Sequence, residues 1–333
     1  MAVRLIEAFM PADRLELARS SVSSLDILSI WWEKLSDDQA QLHILAEAER
    51  SEEITDKLRT SLADSGDKLK IVSLPVESSI PAPEEKPQEE RKTAGVLSRK
   101  LHRVSREELQ ADVQEMMRTS WPNFIMTILS AVVCAVGLAR SNIAVIIGAM
   151  VIAPLLGPNV GLALAVTLGD FGFIYRALRE NLLRVGAALA FAFAVGSLFF
   201  IDPCVPEIAS RTTISGTDIV VALAAGAAGA LALSTGAPAT LIGVMVAAAL
   251  MPPLVVTGML TALGEYTGAL GSLQLLAVNL ISINLAGILT FLALGIRPGS
   301  REDVPKARVL VTLALMVWIA LLVVLGLLML SGG

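Results

Sequence analysis

Polar and apolar positions fall into two regimes along the chain. In the first 76 residues short apolar stretches alternate with charges. Residues 3–9 and 26–33 have strand character, and residues 40–47 set Leu42 and Ile44 against His43 and Leu45, a third strand. Residues 12–24 place Leu15, Ala18 and Val22 on one helical face. Residues 51–64 place Ile54, Leu58 and Leu62 at i, i+4 and i+8. Residues 68–74 read as a fourth strand, ended by Pro75. The predicted order is βαββαβ, a small α+β ferredoxin-like cytoplasmic domain over residues 1–76. That arrangement hosts many functions and assigns none by itself.

A different regime starts after a linker. Residues 77–95 are rich in proline and glutamate and predict an extended connection. Residues 96–119 recover helical spacing. Leu101, Val104, Leu109, Val113 and Met116 or Met117 form an apolar face, and Arg99, Lys100, Arg103 and Arg106 a basic one. Such a helix suits a lipid surface, or equally a connector packed on the front domain. Seven long apolar stretches follow, at about 122–139, 143–168, 182–201, 218–235, 238–263, 273–295 and 308–330. Each approaches the ~20 residues that cross the hydrocarbon. The fold class expected is an α-helical integral membrane protein of about seven spans carrying the small domain at its amino end.

Composition agrees with this division. The chain is 54% hydrophobic and 17% charged, with mean hydropathy +0.69; a soluble domain would carry about 25% charged residues. Of the 57 Asp, Glu, Lys and Arg residues, 40 lie in residues 1–118. A wholly soluble enzyme, a secreted disulfide scaffold and a fibrous protein are excluded. Basic residues cluster in 91–118, at Arg176, Arg179 and Arg184 in and after a connection over 169–181, and in 296–308. With seven crossings, every cluster lies in the cytoplasm, the amino end inside and the carboxyl end outside.

The strongest pattern is an internal repeat. Residues 146–170 read IIGAMVIAPLLGPNVGLALAVTLGD and residues 241–265 read LIGVMVAAALMPPLVVTGMLTALGE, a gapless offset of 95. Units of about 121–201 and 216–296 each hold three crossings, so a tandem copy must reverse its direction in the bilayer. The expectation is an inverted 3+3 repeat plus a final span at 308–330. Prolines interrupt the repeated segments near their middles: Pro154 and Pro158 with Gly157 in span two, Pro252 and Pro253 in span five. Backbone groups freed there need protein partners, water or a ligand. Paired interruptions in opposite halves point to a central solute site; packing kinks satisfied by neighbouring helices are the competing reading.

Few polar side chains lie at similar depth. Asn159, Asn279 and Asn284 are the expected solute ligands beside the four prolines and Gly157; interhelical hydrogen bonding would equally explain the two asparagines of span six. Asn142, Asp170 and Glu265, near helix ends, are possible gate residues, although helix-end charges in water explain the two acids more simply. No span is read as holding an acidic or basic residue near its centre, so a buried carboxylate relay is not expected. Span four, rich in Ala and Gly between Ala222 and Ala230, predicts close helix approach. Cys134 reads as a small buried hydrophobe and Cys204 as a free thiol in a connection. His43, on a strand surface, and His102 are the only histidines. No metal or other cofactor is expected, no catalytic constellation appears, and the protein is not read as an enzyme.

The stretch 140–170, RSNIAVIIGAMVIAPLLGPNVGLALAVTLGD, resembles the signature of the prokaryotic membrane family called domain of unknown function 389. VSREELQADV at 104–113 resembles its pre-membrane lead-in. RLIEAFMP and IVSLPVESSIP resemble the front part of one branch. The resemblance implies a multi-pass protein of the bacterial plasma (inner) membrane with a soluble cytoplasmic domain; it supplies no substrate or reaction. The function expected from the repeat is a transporter or channel for a small neutral or weakly charged solute or an ion. The alternative is a membrane-anchored small-molecule sensor whose amino-terminal domain binds a metabolite. Expected partners are the lipid bilayer, the solute and further copies of the chain in a homo-oligomer, but not nucleic acid.

Overall fold

A computed structural model describes residues 3–47, 50–62, 69–76, 104–118, 120–199, 201–237, 239–298 and 303–331. The linker expected at 77–95, the first part of the 96–119 helix and His102 lie outside the described residues. The chain forms two compact units, Met1–Glu108 and Leu109–Gly333.

In the first unit the elements are β1 (Val3–Pro11), α1 (Leu15–Val22), β2 (Ser29–Lys34), β3 (Gln39–Glu47), α2 (Ser51–Ser61) and β4 (Lys70–Val76). The strands make an antiparallel sheet in the order β2-β3-β1-β4. Alternate residues of the two central strands, Ile6, Ala8, Met10, Leu42, Ile44 and Ala46, point to one face and are buried with Leu15, Ala18 and Val22 of α1 and Ile54, Leu58 and Leu62 nearby. The helical faces are those the spacing predicts. On the opposite sheet face the register lines up Trp31, His43 and Glu7. His43 is not the exposed strand residue expected: it is 9% accessible and stacks on Trp31 with ring centroids 5.1 Å apart.

Helix α3 (Arg106–Met117) spans the division between units. Of the two readings of this helix, a lipid surface or a connector packed on the front domain, the contacts of its first turn favour the second. Arg106 is buried and pairs with Glu107 and, at 3.3 Å, with Asp56 of α2, while Glu108 pairs with Arg4. Leu109, Val113 and Met117, at helical spacing, belong to the core of the second unit.

The second unit is helical: α4 (Trp121–Ala139), α5 (Ile143–Ile152), α6 (Leu156–Leu168), α7 (Phe171–Leu198), α8 (Pro206–Ala209), α9 (Gly216–Ser234), α10 (Ala239–Ala262), α11 (Tyr266–Ala293) and α12 (Asp303–Ser331). Among the described residues six helices are long and apolar enough to cross a membrane, or seven if α5 and α6, bent by 54°, count as one span. Only 6% of the apolar window of α12 is buried in the chain, against 78% for α10. The body is that of a multi-pass membrane protein.

Helices α7 and α11 begin earlier than the apolar pattern suggested, at Phe171 and Tyr266. The stretch 169–181, expected as a connection, is a glycine turn followed by three helical turns. Arg184, expected in the turn after that connection, lies instead in the middle of a 28-residue helix, 3% accessible, with Glu180 also buried one turn before it. Its neighbours in sequence are polar, and polarity alone assigns it to the connection.

The offset of 95 extends to the backbone. The ends of α4 and α9 differ by 95 residues, and so do those of α7 and α11. Left-handed residues recur at the same spacing: Ser141 (φ 50) with Gly236 (φ 72), and Gly169 (φ 74) with Gly264 (φ 78). The small-residue face of α9 packs internally, as expected: Ala222, Ala225, Gly226 and Ala230 are buried, and a methyl group on Gly226 would overlap the backbone of Ile283.

Candidate functional site

The site is built around prolines in equivalent places. A helical proline has no N–H, and its ring excludes the carbonyl of the residue four before it. Pro158 thereby frees the carbonyl of Pro154, and Pro253, its counterpart 95 residues on, frees that of Ala249. Each orphan has a side-chain donor. Arg184 donates through Nη1 to Pro154 O, and Asn279 Nδ2 donates to Ala249 O at 2.7 Å. Arg184 and Asn279 are themselves 95 residues apart. The two halves thus meet one backbone defect with a donor from the same position of the following helix.

The surroundings differ. In the first half, Pro154 and Pro158 stand four apart, so successive turns lose bonds along one side and the helix opens between Ala153 and Leu155. Arg184 also donates to Met117 O at 3.4 Å, the last residue of α3, and approaches Glu180 at 3.9 Å. Gly157 allows that arrival: a Cβ there would lie 2.7 Å from Met116 O. Asn159 Nδ2 donates to Leu155 O at 2.8 Å, and Asn181 Nδ2 donates to Asn159 Oδ1 at 2.8 Å. In the second half, the positions equivalent to Asn159, Glu180 and Asn181 are Leu254, Leu275 and Leu276. Pro252 and Pro253 are adjacent and buried, and α10 continues through them. The expectation of two interrupted spans is corrected to one break and one continuous helix. The carbonyl of Pro253 is held there by Ser272 Oγ at 2.7 Å and Thr257 Oγ1 at 2.8 Å.

The freed carbonyls of Pro154 and Ala249 are therefore engaged within the chain. The unengaged groups are side-chain atoms: Asn181 Oδ1, Asn279 Oδ1, Ser282 Oγ and Asn284 Oδ1 are all buried without a hydrogen-bond partner. Asn284 Nδ2 donates to Leu280 O of its own helix, 2.9 Å away. One turn beyond Asn284, Gly287 faces Ala163, itself one turn beyond Asn159; a Cβ on Gly287 would lie 3.0 Å from the Ala163 methyl.

The three expected gate residues sit at helix starts. Asn142 Oδ1 accepts from Val145 N at 3.2 Å at the start of α5, and Asp170 Oδ1 from Phe173 N at 2.9 Å at the start of α7. Glu265 occupies the equivalent position before α11 and makes no such bond. Arg184, Glu180, Asn181 and Ser282 were missed as site residues. The offset pairing Pro158 with Pro253 also pairs Arg184 with Asn279, and that signal would have found the arginine. Among the described residues no group of three or more His, Cys, Asp or Glu is placed to hold a metal.

The model of the family described as domain of unknown function (DUF389) matches residues 150–285, from the turn before the break to the middle of α11. An uncharacterized protein of Methanocaldococcus jannaschii, MJ0678, is 31% identical over 324 residues, covering 97% of each chain. No solved structure matches. A relative aligned over nearly its whole length, together with the family match across the proline-bearing repeat, shows that this chain belongs to the DUF389 family.

Proposed function

We propose that the chain moves a small polar solute or ion across a membrane, with the solute taken between α6, α7, α10 and α11. The observation that carries this reading is the set of four buried, unpartnered polar atoms at Asn181, Asn279, Ser282 and Asn284. Each such atom costs about 1–3 kcal/mol if left dry. Three of the four are amide oxygens, which accept. The guest that suits them presents N–H or O–H donors, or is a small cation held by oxygens. A small neutral donor-rich solute and a monovalent cation both fit, and the Arg184–Glu180 pair keeps the site close to neutral.

We read the two halves as inverted, because a three-crossing unit copied in tandem reverses direction. We read the first unit as a ferredoxin-like regulatory or assembly domain, on its element and strand order, and homo-oligomerisation as supported by β2 and β4 being edge strands among the described residues. On the charge of the connections, the amino end lies in the cytoplasm of a prokaryotic plasma membrane and the carboxyl end outside.

The test is flux in proteoliposomes across a panel of neutral polyols, amides, ammonium and alkali cations. Transport is expected for one class, with Asn279→Leu and Asn284→Leu each lowering it at least about tenfold, the effect of one lost charge-assisted or buried hydrogen bond. Folded protein with no flux for any class overturns the reading. A small-molecule sensor is the second reading, favoured by His43. The imidazole lies 3.4 Å from Glu7 and 3.7 Å from Glu33 on the sheet face opposite α1 and α2. Ligand binding by the full chain, abolished by His43→Ala and unaccompanied by flux, would select it.

A further inference from the structure

A second polar site lies where the connection from α7 to α9 meets the first turns of α5, before the break at Pro154. The connection from α7 to α9 carries the four-residue helix α8, begun by Pro206 and fastened by Ile208, which is fully buried. Beside it the first two turns of α5 complete a cavity of about 340 Å³ lined by Ile143, Ile147, Met150, Glu207, Ser210 and Arg211 among others. Two charged groups of opposite sign share this cavity. Glu207 Oε2 and Arg211 Nε are both shielded from solvent, and neither has a hydrogen-bond partner. A shielded ionic atom without a partner is expensive. A cation would satisfy only the carboxylate and an anion only the guanidinium. A group carrying both an N–H donor and an anionic acceptor satisfies the two together.

The apolar wall says what else the occupant carries. Ile143, Ile147 and Val151 are exposed at i, i+4 and i+8 on α5, so an apolar stripe leaves the cavity along the outside of a membrane helix. A charged pocket at a helix end continued by a greasy stripe fits a molecule with a zwitterionic head and a hydrocarbon tail. The geometry points to a phospholipid with a primary-ammonium headgroup, of the phosphatidylethanolamine type. Its phosphodiester accepts from Arg211, its ammonium donates to Glu207, and a chain lies on Ile143, Ile147 and Val151.

The test uses the full chain in detergent, exchanged into phosphatidylethanolamine, phosphatidylcholine or phosphatidylglycerol, with bound lipid counted by native mass spectrometry. Phosphatidylcholine has no N–H and phosphatidylglycerol no cation. Phosphatidylethanolamine is therefore expected to be retained at least about tenfold better than either, as for one charge-assisted hydrogen bond. Glu207→Gln and Arg211→Met should each abolish the preference, and Glu265→Gln should keep it. Equal retention of the three lipids by the unaltered protein overturns the proposal, whatever the variants do. Thermal stabilisation by free leucine, a soluble zwitterion, without a preference among the lipids also overturns it.

Discussion

The two halves of the membrane body share a backbone and differ in chemistry. Each has a proline that evicts the carbonyl one turn back, and each supplies a donor from the same position of the next helix. The first half uses a guanidinium. Five N–H groups in a planar fork let Arg184 hold Pro154 O and Met117 O together, with Glu180 close by. The second half uses an amide, which reaches one carbonyl and leaves its oxygen free. Leucines fill the rest. The halves teach that a proline defect fixes the location of a polar donor, while the number of groups the donor must serve fixes its type. Where the helix opens and the end of α3 arrives, arginine stands; where the helix continues, asparagine suffices.

That contrast breaks or sharpens under substitution. The largest effect is expected for Arg184→Leu, which strips two carbonyls of a donor and a buried carboxylate of its positive neighbour. A loss of about 3–5 kcal/mol is expected, seen as a large fall in the detergent unfolding midpoint. Arg184→Lys should recover only part of it, because an ammonium does not reproduce the fork. Asn279→Leu removes a single bond and should cost about 1–3 kcal/mol in the same assay. If the two substitutions prove equal, the difference between the halves has no energetic meaning.

A smaller effect separates Gly157→Ala from Gly148→Ala. A methyl at residue 157 would press on the Met116 carbonyl, and at 148 it would meet nothing within 4 Å. About 1–3 kcal/mol is expected for the first and little for the second. The smallest effect concerns helix starts. Asp170→Ala should cost about 1 kcal/mol through its lost cap, while Glu265→Ala should lie within about 0.5 kcal/mol of the parent. Unchanged flux in both would remove these residues as gates.

Much of this was legible beforehand for identifiable reasons. The helical faces of α1 and α2 and the offset of 95 are periodic signals, and periodicity survives without knowledge of neighbours. The depth of Arg184 was not legible. A charge in a run with Arg176, Arg179 and Glu180 looks solvated until α6 and α3 are known to cover it. The continuity of α10 was also hidden, because two prolines in a row look more disruptive than two set four apart. His43 failed in the same way, its burial depending on Trp31 from another strand.

The shared offset also governs how the two halves pack. The third helix of each half, α7 or α11, packs against the proline-bearing segment of the other, α10 or α6. A lone half would present those surfaces bare. Each half therefore supplies cover for the proline-bearing helix of the other, and neither bundle closes without its twin.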